Sequence, residues 1–314
     1  MVCLDVAGRI MNPNVGLYLR DSMNKFDSNS RLIDIVRVSS APSSGFLNRQ
    51  IILLLCSLGI RDEVFLNLQN EMLDQLRTLT TNYQRASQFL NQFGEHGGNG
   101  YNTFLLEYLK RFSKQIDPFA RQILLAFQAF LVKDLRTKAH IVVPETWFLF
   151  GVADETRTLQ YGEVFIQIEE NCHNGNYIPR IITGPVVVTR NPCFHPGNSY
   201  TIDCIDFIYR HSIVGDIRRL VAVDIPALHP LKNVIVFPIH GPRSHPAEMS
   251  GGDLDGDTFW ICQENKLLFD RNEEPFDYHD QATEDAEEME PETGTVYRIN
   301  DVCKFFVKYI EADK

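Results

Sequence analysis

The sequence predicts an α+β protein in which a helical connector joins two β-rich modules, and three observations carry that expectation. Apolar residues recur at helical spacing only between about residues 61 and 140. The chain on either side reads as short β-prone runs bounded by turn residues. Between two such runs, Val234-Ile235-Val236-Phe237 and Phe259-Trp260-Ile261, a glycine-flanked stretch carries an aspartate at every second position: Asp253, Asp255 and Asp257.

The elements follow in chain order. The first 60 residues read as strands and loops, with Ser39-Ser40-Ala41-Pro42-Ser43-Ser44-Gly45 as a turn-rich segment. In the connector, residues 61–140, three stripes have helical period: Val64, Phe65, Leu68, Met72 and Leu76; then Phe104, Leu105, Tyr108 and Phe112; then Ile123, Phe127, Phe130 and Leu131. They are core faces and give no hint of a cofactor box. Gly94-Glu95-His96-Gly97-Gly98-Asn99-Gly100 divides the helical stretch in two. After Val142-Val143-Pro144 the β-prone runs return and continue to about residue 268, and residues 269–314 open with an acidic tract.

Composition narrows the classes. At 314 residues and 44% hydrophobic the chain can bury a substantial core. A net charge of −11 would repel a phosphate backbone if it were spread evenly. It is concentrated instead: Asp270 to Glu292 holds eleven acids against Arg271 alone, which leaves 30 acids and 29 bases elsewhere. That tract has the composition of a disordered surface insertion. The paired basic residues Lys110-Arg111 and Arg218-Arg219 are weak signals of RNA contact. Seven cysteines without a C-x-x-C pair indicate neither a disulfide framework nor a zinc site, so a reducing, intracellular compartment, cytoplasm or nucleus, is expected. The longest apolar run, Ile51 to Cys56, is far below the roughly 20 residues that span a bilayer, and no signal peptide precedes it, so no membrane partner is expected.

In extended backbone, residues i, i+2 and i+4 project to one face, so the three carboxylates should converge. Like charges so close repel unless a cation neutralises them, and Mg²⁺ suits carboxylate oxygens while keeping positions for water and phosphate. The stretch therefore reads as a metal site for phosphoryl or nucleotidyl chemistry, with Mn²⁺ as a substitute ion. A calcium EF-hand would use Asp253, Asp255, Asp257 and Glu264, but its turn glycine is replaced by Thr258 and no helix leads in from Gly241-Pro242-Arg243-Ser244-His245-Pro246. An aspartate-nucleophile phosphatase would need an apolar strand entering the first aspartate, where Ser250-Gly251-Gly252 stands.

With its neighbours included, His245-Pro246-x-Glu248-Met249-Ser250-Gly251-Gly252-Asp253-Leu254-Asp255-Gly256-Asp257 resembles the signature of the eukaryotic cellular RNA-dependent RNA polymerases of RNA silencing. Further blocks resemble the same family: Leu19 to Phe26, Gly151 to Thr156 followed by Gly162-Glu163-Val164-Phe165, and Gly184 to Gly197. The resemblance implies a double-psi β-barrel polymerase core: part of a first barrel in 1–60, the connector in 61–140, a second barrel with the aspartate loop in 141–268, and the start of a C-terminal region in 269–314. It further implies template-directed ribonucleotidyl transfer for silencing, with two metals about 3.5–4 Å apart on Asp253, Asp255 and Asp257. The implied partners are an RNA template, the nascent RNA, ribonucleoside triphosphates and silencing-pathway proteins. Arg190 resembles the arginine with which multisubunit RNA polymerases read the ribose hydroxyls, and Asn191 beside it completes the nucleotide-binding pair. His195 reads as a loop brace.

Two departures from the family qualify these expectations. The chain begins where part of the first barrel should already be built and stops short of the C-terminal head, so the isolated polypeptide is expected to synthesise little, and the competing class is an inactive remnant that binds RNA or a silencing partner. Between Gly197 and the family's Asp-Ile-Arg segment, here Asp216-Ile217-Arg218, stand 18 extra residues, Asn198 to Gly215. The codons for Gly197-Asn198 can hold a splice donor and those for Val214-Gly215 an acceptor, so the segment reads as a retained intron in preference to a surface loop.

Overall fold

The computed structural model describes residues 42–93, 116–171, 177–191 and 216–275, with Tyr108, Leu109 and a few positions before residue 42. Its centre is a closed six-stranded barrel. The strands are β1 (Ser43–Leu47), β2 (Ile141–Ala153), β3 (Glu163–Asn171), β4 (Tyr177–Ile182), β5 (Gly184–Arg190), β6 (Ile217–Ala222), β7 (Val234–Phe237) and β8 (Thr258–Cys262). The ring runs β2-β7-β3-β6-β5-β8 and closes through β2–β8, while β1 adds to β2 and β4 to β3. Pairs β2–β7 and β3–β6 are parallel, and the other pairs of the ring are antiparallel.

Alternation along each strand shows why these sequences make a barrel. Val164, Ile166 and Ile168 of β3, Val186 and Val188 of β5, Ile235 and Phe237 of β7, and Phe259 and Ile261 of β8 fill one interior cluster. Their neighbours face outward and are buried too. Val187, Trp260 and Cys262 lie under the helices, whereas Phe165, Val234 and Val236 pack beneath Leu228 and Leu231. Strands covered on both faces read as continuous apolar runs, which is how β7 and β8 stand out in the sequence.

The helical layer is formed by α1 (Arg49–Ser57), α2 (Asp62–Thr78), α3 (Tyr83–Phe93) and α4 (Pro118–Lys138). The first expected stripe is the buried face of α2, through Phe65, Leu68, Met72 and Leu76. On α4 the buried line is Ala120, Leu124 and Leu131, with Ile123 and Phe127 partly buried, but Phe130 is exposed because it points away from that line. Asp117 caps α4 by accepting from the Phe119 and Ala120 N–H groups. Of the middle stripe only Tyr108 is described; the Gly94–Gly100 break, His195, Asn198–Gly215, the Leu19–Phe26 block and most of the acidic tract lie outside the described residues.

Among the described residues before 61, one stretch departs from the expectation of strands and loops. Arg49–Ser57 is helical: Asn48 accepts from the Ile51 N–H at 2.9 Å, and Ile51, Leu54 and Leu55 form a buried face. β1 pairs antiparallel with β2 and so joins the sheet of residues 141–268. The motif Gly151–Thr156 serves the fold. Asp154 is fully buried, and its carboxylate accepts from the Thr156, Thr158 and Leu159 N–H groups at 2.7–2.9 Å. Burial alone pushes the Asp154 pKa up, but those bonds, with the Thr156 hydroxyl, outweigh it and hold the group below the ordinary aspartate range.

Candidate metal centre

The aspartate loop links α5 (His245–Glu248), a single helical turn, to β8. One ligand oxygen from each of Asp253, Asp255 and Asp257 lies within 4.8 Å of the others, Asp253 and Asp255 exposed and Asp257 partly buried. Convergence was expected; its cause was not. The loop is turned where extended backbone was expected: Ser250, Gly251, Leu254 and Gly256 all have positive φ, at 55°, 66°, 61° and 138°. Leu254 packs against the interior barrel cluster, to which the fully buried Met249 belongs. Apolar side chains thus plug the barrel end while the flanking carboxylates face out. Non-glycine residues in the left-handed region cost about 1 kcal/mol or more each, and Ser250 and Leu254 are both held there on either side of Asp253.

Two glycines make the close approach feasible. A Cβ on Gly252 would stand 2.8 Å from the Pro246 carbonyl oxygen and 3.0 Å from Arg190 Cδ. A Cβ on Gly151, in β2 below the loop, would overlap the Phe259 ring and come within 2.7 Å of Leu254 Cδ2. Gly151→Ala is therefore expected to cost about 1–3 kcal/mol by overpacking. Because Leu254 is one of the displaced atoms' owners, Mn²⁺ binding should weaken as well; thermal unfolding and Mn²⁺ titration check the two parts.

Arg190 ends β5, and its register partner in β8 is Phe259. That pairing brings its guanidinium to the loop, where Nε lies 2.8 Å from Asp257 Oδ2 and Nη1 donates to the Ser250 carbonyl at 2.8 Å. The Nε hydrogen does not point at the carboxylate, so the contact is an ion pair without hydrogen-bond geometry. It offsets one of the loop's three negative charges. Asn191 follows, partly buried. Sequence reasoning set Arg190 towards the nucleotide; the structure adds that the same side chain braces the loop.

Sequence reasoning missed the buried polar layer behind the loop. Glu248, 1% exposed, takes hydrogen bonds from the Tyr161 hydroxyl and from His245 Nδ1 at 2.7 Å, with Arg218 Nε at 3.1 Å. His245 Nε2 accepts from the Gly162 N–H at 2.9 Å, which leaves Nδ1 as the nitrogen carrying the proton. On the other side the fully buried Asp216 accepts from the Ser250 N–H at 3.1 Å and hydroxyl at 2.8 Å. A charged residue bordering an apolar core was the available signal, as in His245-Pro246-x-Glu248 and Asp216-Ile217.

A closed barrel that presents three convergent carboxylates and a braced arginine at one end defines a class: a double-psi β-barrel polymerase core. The family model described as RNA dependent RNA polymerase matches residues 1–314, and the chain belongs to that family. It is 36% identical over 294 residues to a probable RNA-dependent RNA polymerase 1 of Oryza sativa subsp. japonica, covering 94% of this chain and 36% of the relative. It is 35% identical to RNA-dependent RNA polymerase 1 of Arabidopsis thaliana, covering 96% and 25%. With RNA-dependent RNA polymerase 1 of Schizosaccharomyces pombe the identity is 30%, covering 95% and 24%. The chain thus spans about a quarter to a third of these relatives' length. Its fold is similar to that of the solved RNA dependent RNA polymerase QDE-1 from Thielavia terrestris, with a TM-score of 0.54 at 21% identity, over 76% of this chain and 27% of that one. Among the described residues, no helix is long and apolar enough to cross a membrane.

Proposed function

We propose that this chain carries the catalytic barrel of an RNA-directed RNA polymerase that copies an RNA template with ribonucleoside triphosphates into double-stranded RNA for silencing. The supporting observation is the convergence of Asp253, Asp255 and Asp257 on the exposed end of the barrel in a member of this family. The donor set is all carboxylate, partly open to solvent, which fits a hard divalent ion that also needs room for water and phosphate. Mg²⁺, or Mn²⁺ in its stead, held by these three residues would lower the barrier for a 3′-hydroxyl to attack the α-phosphate and for pyrophosphate to leave.

The chain's own side chains supply the rest of the reading. Leu254 and Met249 anchor the loop in the core, so the carboxylates need not reorganise when substrate arrives. Arg190 holds Asp257 in place and stands beside the position an incoming ribonucleotide would take, with Asn191 next to it. A guanidinium donates and cannot accept, so it meets a ribose hydroxyl oxygen that deoxyribose lacks. An RNA template, the nascent strand and proteins of the silencing pathway are the partners this reading implies.

The test is synthesis by the full-length protein on single-stranded RNA. The expected result is Mg²⁺-dependent ribonucleotide incorporation into a product resistant to single-strand nuclease and suppressed by chelator. RNA binding without incorporation in Mg²⁺ or Mn²⁺ would instead favour the inactive remnant.

A further inference from the structure

Three features stay outside the reading above: the Glu248 cluster, the exposed apolar side chains of α4 and the carboxylate of Asp216. Nothing indicates what covers the α4 face. The Glu248 cluster ties together the segments around α5, but its contacts stop at the turn preceding the loop. Asp216 reaches the loop itself.

We propose that Asp216 is a positioning residue for the aspartate loop, acting through Ser250 and Arg190, an inference that rests on the metal-dependent polymerase reading. Asp216 lies directly before β6, and its own carbonyl accepts from the Thr189 hydroxyl at 2.8 Å, beside the Thr189–Ile217 register pair. The ends of β5 and β6 are thereby tied together at the loop. Its two carboxylate oxygens take the N–H and the hydroxyl of Ser250. Ser250 is the first of the residues with left-handed backbone, so this bidentate grip fixes the conformation that turns the chain towards Asp253. The Ser250 carbonyl then accepts from Arg190 Nη1, and the same guanidinium pairs with Asp257. One buried carboxylate thus sets the entry of the loop directly and its last aspartate through two intermediates. Asp216, Ser250 and Thr189 are 0%, 6% and 0% exposed, so water does not compete for these contacts.

Outer hydrogen-bond partners of metal ligands change metal affinity by about 10–100-fold when removed. Asp216 stands further out than such a partner, so in the full-length protein Asp216→Ala is expected to weaken Mn²⁺ binding, read by electron paramagnetic resonance, by up to about tenfold. The Mg²⁺ concentration for half-maximal synthesis should rise in parallel. Asp216→Asn should restore most of that loss, because its amide oxygen can accept from the Ser250 N–H and its amide can donate to the Ser250 hydroxyl oxygen. Ser250→Ala, which keeps the backbone contact, should fall between them and remains informative if Asp216→Ala does not fold. A purely structural role would lower the unfolding temperature in all three variants while leaving Mn²⁺ affinity at the wild-type value, and that result overturns the inference alone. Wild-type protein that neither binds Mn²⁺ at this loop nor synthesises RNA overturns the polymerase reading and the inference with it.

Discussion

Asp255→Ala is expected to abolish Mg²⁺-dependent ribonucleotide incorporation by the full-length protein while leaving the metal-free protein as stable as wild type. Metal stabilisation of transition-state charge is worth several kcal/mol. Each 1.36 kcal/mol is a factor of ten, so the rate should fall on the order of 10³-fold or more. Stability should respond differently, because Asp255 is exposed and its side chain lies among two other carboxylates. Removing it relieves repulsion and uncovers no core. The two readouts then separate. Saturating Mg²⁺ should raise the unfolding free energy of the wild type by about 2.7 kcal/mol at a hundred times the dissociation constant, and the shift should vanish in the variant. Asp257→Ala would behave otherwise, since it also strips Arg190 of the carboxylate 2.8 Å away and should lower the metal-free stability. Equal incorporation, or an equal Mg²⁺-linked shift, in wild type and Asp255→Ala would sink the assignment of this loop as the metal centre.

What could be read from the chain divides along the range of the interactions involved. Asp253, Asp255 and Asp257 are four residues apart end to end, and two apolar runs fix the strand on either side, so their meeting is a local property. The backbone that makes them meet was misread as extended because strict alternation resembles a strand. Gly251 and Gly256 were the contrary signal, as they permit the left-handed turns that the structure contains. The helix Arg49–Ser57 was hidden for a related reason: a short apolar run such as Ile51–Cys56 has no decisive period, and only Asn48 in the capping position marks a helix start. By contrast, the pairing of Tyr161 with Glu248 spans 87 residues and that of Asp216 with Ser250 spans 34. No local pattern encodes such a contact; it exists because the closed barrel brings β3, β5, β6 and the loop to one end.

Glu248→Ala is expected to lower stability by about 3–5 kcal/mol. Removing this carboxylate leaves the Arg218 guanidinium, whose side chain is 6% exposed, without its counter-charge, and it orphans the Tyr161 hydroxyl and His245 Nδ1–H. Arg218 also donates to the Glu273 carbonyl at 2.6 Å, so the segment after β8 should loosen together with α5. Glu248→Gln keeps the volume and one acceptor oxygen and should cost less. The comparison has a defined pH dependence. Burial pushes the Glu248 pKa up, but the hydrogen bonds from His245 and Tyr161 and the charge of Arg218 outweigh it, so the folded value lies below the ordinary glutamate range. A depressed folded value means that the unfolded chain takes up the proton first. The stabilisation is then complete above the unfolded value and is lost as pH falls through the folded one. The stability gap between wild type and Glu248→Gln should therefore be full at neutral pH and close only in acid below the ordinary glutamate range. Asp154 loses its own contribution in the corresponding acid range below the ordinary aspartate value in both proteins, so it cancels from the difference. Chemical denaturation of the pair at neutral and acid pH measures this directly, and a gap that persists unchanged into strong acid would mean that Glu248 holds the barrel end by shape and not by charge.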